Sequence, residues 1–72
     1  MGISYDRLWK LLIDKKLNKG KLRKLANIST PSMARMGKNE YVSLEIIERI
    51  CKALNCDISD IIEYVPDDNE KK

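Results

Sequence analysis

Between positions 15 and 39 the chain carries cations and no acid. Lys15, Lys16, Lys19, Lys21, Arg23, Lys24, Arg35 and Lys38 fall in this stretch. Residues 40–70 invert the balance. Glu40, Glu45, Glu48, Asp57, Asp60, Glu63, Asp67, Asp68 and Glu70 stand there against Arg49 and Lys52. A folded unit with one basic side and one acidic side attracts polyanions to the first. The phosphate backbone of DNA is the first candidate.

Other chemistries find little support. No His is present to act as a general base. No glycine-rich phosphate loop occurs, and no Ser, Cys or Lys sits in a recognisable nucleophile setting. An enzyme is therefore not expected, and no cofactor is implied. The thiols are Cys51 and Cys56. Cys51 shares a helical face with Ile47, Ile50 and Leu54 and reads as a core thiol; Cys56 lies just past the helix end. Free thiols in a reducing cytosol are expected rather than a redox pair. Two thiols without a CxxC pair or a His give no zinc site, so no metal is expected.

The elements that must position the cations are legible from caps and periodicity. A first helix is expected over residues 5–16, capped by Ser4, with an apolar stripe of Leu8, Leu11 and Leu12. Trp9 reads as half-buried packing. Asn18 caps a second helix, whose stripe is Leu22, Leu25 and Ala26. Asn27 interrupts it, because Asn tolerates the left-handed region that closes helices. Ile28 reads as an apolar plug. Ser29 or Thr30 caps a third helix over 30–36, with Pro31 in its first turn. Met33 and Met36 form its buried stripe. Thr30, Pro31, Ala34 and Arg35 are left outward. Ser43 caps a fourth helix in which Leu44, Ile47, Ile50, Cys51 and Leu54 recur at helical spacing. Asn55 closes it. Asp57 with Asp60 suggests a capped fifth helix over 57–62, ended by Tyr64, Val65 and Pro66.

This order of signals resembles the helix-turn-helix of the phage repressor and Cro family of transcription regulators. The likeness spans about residues 5–65. It rests on Leu22, Ile28, Ser29, Met33, Ser43 and Leu44, followed by Ala53, Leu54, Asp60, Ile61 and Ile62. It is nearest to the minimal, single-domain members. The chain departs from the pattern in two ways. Arg23 stands where many relatives have a small residue, so its side chain must bend outward or alter the packing of the helix pair. Thr30 and Pro31 stand where many relatives carry Gln or Asn.

The resemblance implies an all-α, compact five-helix bundle of the lambda-repressor-like type, with the second helix bracing the DNA backbone and the third in the major groove. Base contacts then fall to Thr30, Pro31, Ala34 and Arg35. Of these, Arg35 can grip guanine with two hydrogen bonds, its plainer role being a phosphate clamp; Pro31 and Ala34 can only touch a thymine methyl. Phosphate contacts fall to Lys19, Ser29, Ser32, Lys38 and Asn39. Lys19 leads because backbone N–H groups at a helix start also point at anions. Thr30 and Ser32 have capping as an alternative role.

Seventy-two residues suit one domain, expected over 1–66, with a disordered polar tail at 67–72. No apolar run of about 18 residues occurs, so no membrane contact is expected, and the absence of a signal segment points to the cytoplasm. No small-molecule ligand is expected. Double-stranded DNA and a second copy of the chain are the expected partners. The homodimer would meet through chain-end residues such as Ile3, Tyr5, Ile62, Tyr64 and Val65. Those two ends also have the composition to pair as a short ribbon. The rival reading is a protein-interaction module on the same fold, antitoxin-like or an adaptor.

Overall fold

The computed structural model describes residues 2–66. The tail expected at 67–72 lies outside them. Four helices form: α1 (Asp6–Asp14), α2 (Lys19–Ala26), α3 (Thr30–Gly37) and α4 (Leu44–Leu54). A two-stranded antiparallel ribbon joins β1 (Gly2–Ser4) to β2 (Glu63–Val65), in the register Gly2 to Val65, Ile3 to Tyr64 and Ser4 to Glu63.

Caps set most boundaries. Asn18, Ser29 and Ser43 each accept a hydrogen bond from the backbone N–H three residues on, at Lys21, Ser32 and Ile46. Each removes an orphan donor from a first turn, worth about 1 kcal/mol. Asn27 and Asn55 close α2 and α4 in the left-handed region, at φ 55 and 53. α1 is shorter than its apolar stripe suggests. Ser4 accepts from the Asp6 N–H at 3.1 Å, so the helix starts at Asp6. Lys16 turns left-handed at φ 59 and ends the run early.

The fifth helix does not form. Residues 58–60 make a single 3-10 turn, carrying the capping box of Asp57 and Asp60. The box gives one turn its partners, but the following residues have a better use for their backbone. β2 pairs with β1 across the whole chain, and Tyr64 and Val65 suit an extended strand. Arg7 fixes this arrangement. Its Nε donates to Glu63 at 3.2 Å and its Nη1 to the Ser59 carbonyl at 3.3 Å.

The core comprises Tyr5, Leu8, Leu12, Leu22, Ala26, Ile28, Met33, Met36, Ile47, Ile50, Leu54 and Ile61. Tyr5 is fully buried, which removes it as a contact for a second chain. Its hydroxyl donates to the Glu40 carbonyl at 2.7 Å. Two stripe residues point elsewhere. Leu25 is 59% exposed and Leu44 is 75% exposed. Leu25 borders a surface depression with Arg49, Lys52 and Ala53. Leu44 opens α4 and borders another with Glu48, Cys51 and Ile58. Cys51 and Cys56 are both free and half-buried, and burial raises both thiols above the ordinary value.

Candidate nucleic-acid interface

The turn between α2 and α3 is fixed from three directions. Ile28 sits at 3% exposure, as the apolar plug should. The Ile28 N–H returns to the Arg23 carbonyl at 2.9 Å, which ties the turn to α2. Arg49 donates to the Asn27 carbonyl at 2.9 Å while pairing with Glu45 at 2.8 Å, which ties the turn to α4. The angle at which α3 leaves α2 is therefore held by polar bonds around an apolar centre.

α3 then presents the side that its period dictates. Met33 and Met36 are buried, and Thr30, Pro31, Ala34 and Arg35 are exposed. Ser32 differs from its neighbours. It is 8% exposed, and its hydroxyl accepts from Ser29 Oγ at 3.0 Å. Ser29 in turn accepts the Ser32 N–H. Both hydroxyls are thus engaged in the cap. Past α3, Lys38 is exposed. Asn39 is left-handed at φ 59, and its side-chain oxygen accepts the Tyr5 N–H at 3.2 Å. That bond ties the exit from α3 to the start of α1.

Lys19 lies where three helices meet. Its ammonium stands 4.5 Å from the centroid of the Trp9 ring on α1. A Cβ placed on Gly37, at the end of α3, would lie 3.7 Å from the same nitrogen. Trp9 is half-buried and packs its ring 6.4 Å from that of Tyr5. A cation over an indole face is attracted by about 0.5–1 kcal/mol at an exposed site. No short-range spacing links positions 9 and 19, so this pairing had no signal in the sequence.

The electrostatic asymmetry survives folding. Among the described residues, Lys16, Lys21, Arg23, Lys24, Arg35 and Lys38 form no ion pair. The ion pairs that do form, Arg7 with Glu63 and Arg49 with Glu45, use cations from outside the acid-free stretch. The unpaired cations around α2 and α3, in a stretch without acids, concentrate positive charge there. Among the described residues no group of His, Cys, Asp and Glu could hold a metal ion, and no helix is long and apolar enough to cross a membrane.

Residues 7–67 match the family of Cro/C1-type helix-turn-helix DNA-binding domains. The chain belongs to that family. This Cro/C1-type domain is also similar to a solved structure, a crystal form of the transcriptional regulator VanUg. The two are 50% identical, with a TM-score of 0.89, over 92% of this chain and 88% of the other. No curated protein matches. The family assignment agrees with the capped helix pair, the apolar plug and the unpaired cations of the Cro/C1-type domain described here.

Proposed function

We propose that this chain regulates transcription by binding specific sequences in double-stranded DNA, with α3 in the major groove and α2 across the backbone. The observation that carries the reading is the exposed side of α3. Thr30, Pro31, Ala34 and Arg35 lie there together, flanked by cations that form no ion pair among the described residues. A helix side of that width matches the major groove. Arg35 is the strong base reader, Thr30 a weaker one, and Pro31 and Ala34 apolar neighbours for a thymine methyl. Lys19 and Lys38 grip phosphates at either end. Ser29 contributes through the cap, since its hydroxyl proton goes to Ser32, whereas the Ser32 hydroxyl and the Asn39 amide nitrogen keep a proton to give a phosphate.

The active unit in this proposal is a homodimer of the domain at 1–66, placing two copies of α3 on a pseudo-palindromic site. Tyr64, 62% exposed, and Val65, 40% exposed, supply its apolar contact. They lie on β2, where Val65 borders a concavity with Ile3 and Lys38. The homologue's description as a transcriptional regulator supports the regulatory role.

Selection of bound duplexes from a random pool, followed by titration at several salt concentrations, tests the proposal. With about six to eight phosphates neutralised per dimer, log K falls against log salt with a slope of about −5 to −7. A protein-interaction module relying on apolar contact gives an almost flat response and no enriched duplex.

A further inference from the structure

α2 carries Lys19 and Arg23 one turn apart, with the side-chain-free Gly20 beside Lys19. Both cations line one concavity of about 320 Å³ between α2 and α3, walled also by Thr30, Met33 and Ala34. Lys19 is anchored on one side by Trp9. Arg23 is half-buried, yet no hydrogen bond or ion pair engages its guanidinium among the described residues.

The unpartnered guanidinium keeps contact with solvent, so its fork stays open to an acceptor from outside the chain. Like charges four apart on a helix repel one another. No acid lies in positions 15–39 to relieve that repulsion. Met33 and Ala34 offer only apolar wall, and the nearby Thr30 hydroxyl is a neutral group. The missing component is an anion small enough to enter a groove between two helices.

We propose that this concavity seats one phosphodiester of the DNA backbone, between the Lys19 ammonium and the Arg23 guanidinium, with Thr30 as a further donor. The assignment rests on the DNA-binding reading and adds to it a contact from the inner side of α2. Arg suits the task because its planar fork takes two phosphate oxygens at once. The site also defines a register. Once a phosphate is seated between α2 and α3, the neighbouring bases fall opposite Thr30 and Ala34.

Replacing each backbone phosphate of a selected duplex in turn by a neutral methylphosphonate tests this. Wild-type protein loses about tenfold in affinity at one particular phosphate per half-site, the value of one hydrogen bond to a charged group. Arg23→Ala binds the native duplex about tenfold more weakly and no longer responds to neutralisation of that phosphate. It keeps its response at the others. Arg23→Lys restores part of the response. Alanine is the best helix former, so Arg23→Ala keeps its fold, and its thermal transition verifies that. If wild type binds DNA and Arg23→Ala matches it, or if the losses simply add at every phosphate, the site is wrong while DNA binding stands. If wild type binds no duplex at low salt, the DNA reading fails and takes this site with it.

Discussion

The ammonium of Lys19 on α2 rests 4.5 Å from the ring centroid of Trp9 on α1. This contact lets Trp9 report on the interface. It is the single tryptophan of the chain. A phosphate that draws the ammonium away changes the field at the indole. Trp9 emission is therefore expected to shift when specific DNA is added, in step with binding. In Lys19→Met the same titration leaves emission flat. An equal shift in both proteins would separate the signal from Lys19.

Base reading and backbone grip separate by substitution. Arg35→Ala is expected to lose about 1–3 kcal/mol at one base pair of the preferred site and to relax preference there. Lys19→Ala weakens all sequences alike and reduces the salt slope by about one. Competition binding against a panel of single-base variants reads both. Uniform weakening by Arg35→Ala would reassign Arg35 to a phosphate.

Much of this was legible in the sequence, and the reason is locality. Asn18, Ser29 and Ser43 bond to a backbone N–H only three residues away, so their type and position announce a helix start. Asn27 and Asn55 end helices through their own φ. The outward row of Thr30, Pro31, Ala34 and Arg35 follows from helical period alone. What failed was decided at a distance. Residues 58–62 have a good helical start, and β1 outcompetes the helix from the other end of the chain. Leu25 and Leu44 keep the period of a stripe, but period cannot say whether a neighbour covers each turn. Ser32 belongs with the local signals, since its engagement with Ser29 three residues earlier matches the capping role open to it from the sequence.

Backbone conformation gives a stability test. Asn27, Asn39 and Asn55 are left-handed, and among the described residues Lys16 is the non-asparagine exception outside glycine. A lysine there bears the steric cost of its Cβ without the local hydrogen bonding that favours asparagine. Lys16→Asn is expected to stabilise the fold by roughly 0.5 kcal/mol, raising Tm by about 2–4 °C for a domain of this size. Calorimetry at neutral pH measures it. A lowered Tm would show that the lysine side chain contributes more than its backbone costs.

Tyr5 predicts the alkaline limit. Burial raises its phenol above the ordinary value, against a smaller lowering by the Val42 backbone. The folded state thus holds its proton more tightly than the unfolded chain does. Its contribution is complete below the unfolded value, about pH 10, and is lost as pH rises through the folded value. A phenolate also cannot donate to the Glu40 carbonyl. Tyr5→Phe is expected to cost about 1–2 kcal/mol at pH 7 and to flatten the fall in stability above pH 10. Urea unfolding at pH 7, 9.5 and 11 supplies the comparison. Parallel curves for the two proteins would exclude Tyr5 as the group responsible.

Tyr64→Asp examines the pairing of two copies. A charge on the exposed apolar side of β2 is expected to convert a dimeric mass to a monomeric one, read by light scattering over a dilution series. Binding of a full palindrome should weaken more than binding of a half-site. An unchanged mass would place the interface elsewhere.

The ribbon has a consequence for how the chain is made. Gly2 can find Val65 only after everything between them has been synthesised. Closing so long a loop comes late, once the helices have shortened the distance. A nascent chain can therefore assemble the α2–α3 pair and its α4 support while β1 still lacks a partner. β2 emerges well after β1 and stitches it down, so removing Glu63–Val65 would leave the entrance to α1 unsecured while sparing the α2–α3 pair.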